Sequence, residues 1–323
     1  MSPGLGERHR EGARPAVPNG PAARLAPRMA GRVLTRLLLG VVWLLSLLPL
    51  WLLAPIGRLV GRVAWWSVRS RRTIALRNLA LCLPELETRE RLALAREHFA
   101  LVGRGLLEHG LMWHASRARL QRLIHVEGDV GLAQRSERPV MWLVPHFIGL
   151  DVAGVAVQLF QSRRVVSVYQ PQSNAVFEQA MFRGRMRFDG GRLHSRFDSA
   201  RLLMRSIREG YGFFNLPDMD FGARDAAFVP FFGVSAATLL APSRLARALN
   251  MVVQPVVVEV LPGGAGYRVR FLDPWPDFPT DDALADTVRM NRWIESEVRR
   301  MPAQYLWVHK RFKTRPPGEP SLY

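Results

Sequence analysis

Hydrophobic and polar positions along this chain fall into three regimes. Residues 1–28 hold Pro, Gly, Ala and Arg with almost no large apolar side chain, too little to offset the entropy of ordering, so disorder is expected there. From Leu37 to Ile56 runs LLLGVVWLLSLLPLWLLAPI, uncharged and about long enough to span a bilayer core. From Glu85 to Trp113 the apolar positions Leu92, Leu94, Ala95, Phe99, Val102 and Leu106 recur at helical spacing. Thereafter short apolar runs read as buried strands at 140–145, 164–169, 211–216, 252–260 and 267–273. Helical stretches near 151–160, 173–184, 198–209, 237–249 and 282–300 separate them. That alternation predicts an α/β fold, a single mixed-sheet domain over 73–323, preceded by a hydrophobic membrane-anchor helix with a basic interfacial segment over 29–72.

The anchor reading carries its own alternatives. The run is too long for a signal-peptide core and no small-residue cleavage site follows it, which favours anchorage over cleavage. Pro49 and Pro55 equally allow a bent or interfacial helix in place of a straight span. Arginines lie on both sides of the run, so the positive-inside rule does not orient it.

Composition then narrows the partners. A formal charge of +18 points to a surface rich in phosphate or carboxylate: nucleic acid, anionic lipid or an acidic protein. Nearly all of that charge is Arg, since Lys310 and Lys313 are the only lysines. The single Cys82 excludes a disulfide framework and a cysteine-rich metal site, and it reads as a small buried hydrophobe.

Four features carry candidate chemistry. In VPHFIGLD, His146 follows a strand and Asp151 stands five positions on, at the start of a helix. A neutral imidazole oriented by a carboxylate can deprotonate a hydroxyl, which then attacks a thioester directly with no protein nucleophile. His-x4-Asp spacing alone arises by chance about 0.3 times in a chain of this composition, so its setting must support it. In NLPDMDFGARDAAFVPFFG, 215–233, the Pro, Gly and acidic residues read as a loop offering Asp218 and Asp220, with Phe228, Phe231 and Phe232 as an apolar wall or as core. Arg183, Arg185, Arg187, Arg192, Arg196 and Arg224 form a set suited to phosphate. The C-terminal QYLWVHKRFKTRPPGEPSLY interleaves basic and aromatic residues.

Taken in order, RNLALCLPE (77–85), LLEHGLMW with Glu108, PHFIGLD, the turn at Tyr169, GRMR (184–187), LPDMDFG with FVPFFG, AAT (236–238) and WVHKRFKTRP (307–316) resemble the late acyltransferases of lipid A biosynthesis, the lauroyl/myristoyl family of Gram-negative bacteria. The resemblance implies a glycerolipid-acyltransferase-like fold at the inner membrane, with the catalytic domain facing the cytoplasm. It implies an acyl carrier protein thioester as donor and, as acceptor, the hydroxyl of a primary 3-hydroxyacyl chain on a Kdo-bearing lipid A precursor. His146 and Asp151 become the catalytic pair, and Arg185, Arg187, Arg196, Asp218, Asp220 and Arg224 the substrate-binding residues. No metal, cofactor or nucleic acid is called for, and anionic inner-membrane lipids join the partners. Gln170 stands where this family often has Arg. A glycerolipid acyltransferase is the nearest alternative, though LPDMDFG occupies the place of its usual P-E-G-T-R block. A non-catalytic, membrane-tethered binder of anions is the alternative from another class.

Overall fold

The computed structural model describes residues 29–188 and 190–323. The N-terminal stretch 1–28, expected to be disordered, lies outside the described residues. The apolar run 37–56 is not one helix. It is split between α1 (Met29–Ser46) and α2 (Leu50–Ser67), because Ser46 turns its hydroxyl back onto the Trp43 carbonyl at 2.6 Å and Pro49 stands extended as the N-cap of α2. Among the described residues no helix is long and apolar enough to cross a membrane. The expected anchor is therefore a broken pair of helices, with Leu34, Leu37, Leu38, Val41 and Leu44 of α1 and Trp51, Leu52, Leu59, Val63 and Trp66 of α2 exposed.

The basic helix α3 (Arg69–Cys82) leads to α4 (Thr88–His114), which starts at a capping box in which the Glu90 carboxylate accepts the Glu87 amide at 2.7 Å. Three glycines let α2 lie directly on α4. A Cβ on Gly61 would sit 2.0 Å from the Phe99 carbonyl, and one on Gly103 would sit 2.2 Å from that of Gly57. The backbones meet without intervening side chains, so α2 is packed directly onto α4.

Among the described residues nine strands follow: β1 (Ile124–Gly128), β2 (Val140–Leu143), β3 (Val165–Tyr169), β4 (Arg192–Ser195), β5 (Gly212–Asn215), β6 (Ala226–Phe231), β7 (Val234–Leu239), β8 (Val252–Val260) and β9 (Tyr267–Phe271). Seven make one sheet in the order β1-β9-β8-β2-β5-β3-β4, and β6 and β7 form a separate hairpin. All neighbours in the large sheet are parallel except β8 and β9, so the sheet is mixed. The interspersed helices are α5 (Arg117–Leu123), α6 (Leu132–Arg135), α7 (Leu150–Leu159), α8 (Ala175–Arg185), α9 (Ala200–Arg208), α10 (Ala241–Ala248) and α11 (Ala283–Arg300). Along β2, Val140 and Trp142 join one core with α7 and α8, while Met141 and Leu143 join a second with α9, α10 and α11. Burial on both faces is why this strand is apolar throughout.

Two sequence expectations change. The stretch 215–233 is loop only in its first part, because 226–231 is β6, joined to β7 by Phe232 and Gly233, both at positive φ as a two-residue hairpin turn requires. The helix expected from 237 accordingly begins at Ala241.

Candidate active site

β2 and β5 are parallel neighbours, with Leu143 opposite Asn215 and the Val144 amide bonded to the Asn215 carbonyl at 2.9 Å. His146 and Asp218 each lie three residues beyond that registered pair, so the two loops leave the carboxyl ends of adjacent strands side by side. Ligands of such sheets collect at strand ends of this kind. The His146 Nδ1 is 2.6 Å from Asp218 Oδ1, and the His146 amide donates to Oδ2 at 2.9 Å. The Asp218 side chain is fully buried and that of His146 nearly so. Burial alone would raise the Asp218 carboxyl. The charge and two hydrogen bonds of His146, together with the charge of Arg311, outweigh it and leave the pKa lowered. An ionised Asp218 accepting at Nδ1 fixes the proton there and leaves Nε2 as the free base.

Asp151 does not make this contact. It sits in the first turn of α7, where Gly149 allows close approach to β8, since a Cβ there would meet Val258 at 2.4 Å. Its oxygens are taken by Arg185 Nε at 3.0 Å and His109 Nε2 at 2.5 Å. The expected His146–Asp151 hydrogen bond is thus replaced by His146–Asp218, because helix α7 turns Asp151 towards α4 and α8. His109 places its other nitrogen on the Gly105 carbonyl, so both ring nitrogens face acceptors, an arrangement that favours the imidazolium. Burial would lower the His109 pKa, but the charge and hydrogen bond of Asp151 reverse this and raise it. For Asp151 burial is likewise outweighed, by Arg185 and His109, and its pKa falls far below the carboxylate range.

Asp151 and Arg185 line a cavity of about 70 Å³ between α7, α8, β3 and β5, with Trp113, Val155, Gln158 and Phe214 among its walls. Along α7, Asp151, Gly154 and Gln158 share the cavity face at helical spacing, which puts Gln158 roughly 10 Å along the helix axis from Asp151. The Gln158 Oε1 is buried without a hydrogen-bond partner, as is the Trp113 Nε1.

The other expected substrate-binding residues divide. Arg187 is spent on structure: its guanidinium bonds the Met112 carbonyl at 3.0 Å and that of Ala115, closing the carboxyl end of α4. Asp220 is also committed internally, accepting from the Thr314 amide and hydroxyl, each at 2.7 Å, and from Gly222. Arg196 bonds Gln170 at 3.1 Å and stacks between Phe197 and Phe221, beyond the end of β4. Arg224 is exposed in the loop before β6. Phe231 belongs to the core, against Phe232, Tyr305 and Phe312.

Sequence reasoning overlooked four residues here. His109 follows the quoted Glu108 directly, but only the α4–α7 crossing brings it to Asp151. Tyr305 and Arg311 stand behind Asp218. Burial and the carboxylate push the Tyr305 hydroxyl well above its ordinary value, and Arg311, 2% exposed, bonds Ala237 and Thr238 while lending its charge. His309 accepts the Asp220 amide at 3.3 Å, and burial with the charge of His146 pushes its pKa down to about 4. The interleaved basic and aromatic segment is therefore largely the back wall of the site. A backbone bond from Leu306 to the His146 carbonyl, 3.0 Å, ties it there.

The profile described as bacterial lipid A biosynthesis acyltransferase matches residues 23–314. The chain is 34% identical to the lipid A biosynthesis palmitoleoyltransferase of Escherichia coli K12 over 88% of its own length and 92% of that protein's. To the lauroyltransferase of the same strain it is 33% identical, covering 90% and 94%, and to the myristoyltransferase 32%, covering 84% and 83%. These relatives are named for three different acyl chains at nearly equal identity, so likeness alone does not select one.

Proposed function

This chain belongs to the bacterial lipid A biosynthesis acyltransferases, and on that premise we propose that it moves a fatty acyl group from an acyl carrier protein thioester to the hydroxyl of a primary 3-hydroxyacyl chain on a Kdo-bearing lipid A precursor. The observation that supports this most is the 2.6 Å contact between His146 Nδ1 and buried Asp218, which leaves Nε2 unprotonated. Nε2 takes the proton of the acceptor hydroxyl as its oxygen attacks the thioester carbon. The tetrahedral intermediate collapses with loss of the C–S bond, and the imidazolium returns the proton to the carrier thiolate. Asp218 holds the tautomer and stabilises the imidazolium, the role that the sequence assigned to Asp151.

Asp151 keeps a place in this reading as the anion that aligns Arg185 and charged His109 at the mouth of the cavity. Those two cations face developing negative charge on the thioester oxygen. The acyl chain enters the cavity along α7. The acidic carrier protein and the phosphates and carboxylates of the precursor suit the chain's positive charge. The exposed apolar faces of α1 and α2 rest in the inner membrane's cytoplasmic interface.

The test is direct: purified protein in detergent, a panel of acyl carrier protein thioesters, and a tetra-acylated Kdo-lipid A precursor. A new ester is expected with at least one donor and is lost in His146→Ala. No ester with any donor, or undiminished turnover in that variant, would overturn the proposal.

A further inference from the structure

A larger cleft than the one beside Asp151 lies elsewhere in the described residues. About 690 Å³ lies open between α2, α4, the end of β8 and the turn at 302–304, a volume in the range of small-molecule sites. None of the candidate site residues lines it. Trp51, Pro55 and Arg58 come from α2, Leu101 and Arg104 from α4, and Arg300 from the end of α11.

Its charges are unevenly satisfied. The lining holds Arg58, Arg104 and Arg300 against Glu97 and Glu259. Both carboxylates are already neutralised, Glu97 by a two-pronged contact with Arg58 at 2.6 and 2.7 Å and Glu259 by Arg268 at 2.7 Å. Two guanidiniums are left with capacity. Among the described residues Arg300 has only Glu297 at 3.7 Å, and that carboxylate is held by Arg270. Arg104 is 2% exposed, with Nε on Glu108 at 2.7 Å and Nη1 on the Leu261 carbonyl at 2.9 Å, while its Nη2 has no partner. A buried guanidinium edge without an acceptor is costly, and the neighbouring acceptors are used. An oxyanion in the cleft meets exposed Arg300 where Glu97 and Glu259 are already paired, with buried Arg104 adding its charge from the wall, and phosphate matches guanidinium geometry best.

The rim identifies the kind of molecule. Trp51 lines the cleft while 66% exposed, and Leu52 beside it is exposed on the same apolar helix. A head group placed in the cleft therefore has a hydrophobic surface at hand for its tails. We infer that this cleft binds the phosphate head group of an acidic phospholipid whose acyl chains lie along α2. The site is independent of the proposed transfer reaction, so it is tested without turnover.

The full chain is titrated with nanodiscs of phosphatidylcholine alone or with phosphatidylglycerol, with millimolar inorganic phosphate as competitor. Binding about tenfold tighter to the acidic discs is expected. Arg300→Glu, at an exposed side chain, removes most of that preference and leaves binding to the neutral discs unchanged. Arg201→Glu, on exposed α9, is the control for general charge. Loss of preference equal in both variants, or no preference in the parent, would overturn the inference. Displacement from acidic discs by inorganic phosphate alone would also overturn it, because the occupant would then be a free ion.

Discussion

Replacing Asp218 by Asn keeps the shape of the side chain and removes one acceptor, which makes the consequence for His146 calculable. The native carboxylate accepts twice from the same residue, from the amide at 2.9 Å and from the ring at 2.6 Å. A carboxamide has one oxygen and one NH2, so it serves one of these donors and opposes the other. The backbone N–H cannot change its character, whereas the ring can change tautomer. The amide oxygen therefore turns to the His146 amide, its NH2 donates to Nδ1, and the ring proton moves to Nε2. A base protonated at Nε2 cannot accept from the acceptor hydroxyl. By this wrong-tautomer argument turnover falls roughly a thousandfold to ten-thousandfold, about 4–5.5 kcal/mol in the barrier. The assay is initial rate of ester formation with carrier-bound acyl donor, beside thermal unfolding to show that the variant folds. Asp151→Asn is run in parallel and leaves the His146–Asp218 contact in place. Turnover of Asp218→Asn within about tenfold of the parent, with Asp151→Asn abolishing it, would refute the assignment and restore Asp151 as the orienting carboxylate.

Gln158→Leu removes the unpartnered Oε1 from the cavity wall, a buried polar atom that a hydrocarbon chain lying there would leave unsatisfied. In competition between dodecanoyl and hexadecanoyl carrier thioesters the variant should shift about tenfold toward the longer chain, and an unchanged ratio would remove Gln158 from the chain's path. Arg187→Ala should lower stability by about 1–2 kcal/mol through the freed carbonyls of Met112 and Ala115 while leaving KM for the precursor nearly as it was. A large rise in KM in a protein of unchanged melting temperature would return Arg187 to substrate binding. His98 and His309 are held near pKa 4, His98 by burial and His309 by burial and the charge of His146, below the ordinary imidazole value of about 6.5. The unfolded chain takes these protons first, so stability is intact above about pH 6.5 and falls by roughly 3 kcal/mol per histidine as pH drops to 4. Denaturant midpoints across that range should show it, and His98→Asn should flatten the slope.

The strands read correctly from sequence are β2, β3, β5, β8 and β9, all interior to the large sheet. The two that escaped, β1 and β4, are its edges, where IHVEG and RLHS mix polar with apolar residues because one side faces solvent. The hairpin of β6 and β7 escaped for another reason: its turn is Phe232–Gly233, and Phe is not a residue expected at positive φ. The split between α1 and α2 was partly legible, since Pro49 lies inside the apolar run, but its position was not, because it also rests on the Ser46 back-bond. His146 was singled out by its motif and Asp218 by its loop. Their contact was not foreseen, because the two are 72 positions apart and are brought together by the adjacency of β2 and β5, a fact of topology rather than of spacing.

That exchange of carboxylates also changes the electrostatics of the proposed reaction. With His146 paired to Asp151, the site would have held one anion and one base. With Asp218 as the partner, the His146 pair carries one negative charge, and buried Arg311 offsets it from behind. The second group sets Asp151 between two basic side chains, His109 and Arg185, and carries one net positive charge when His109 is protonated. As the hydroxyl proton reaches Nε2, the pair becomes neutral overall while negative charge grows on the thioester oxygen. In the proposed reaction Arg185 and His109 are already held by Asp151 and need no reorganisation to meet that charge. Because the two groups share no hydrogen bond, they should respond differently to substitution. Changes at Asp218 act on proton transfer and reshape the pH profile of kcat, whereas changes at Arg185 act on charge stabilisation and lower kcat at every pH. A kcat profile distorted alike by Asp218→Asn and Arg185→Lys would mean that the two groups work as one.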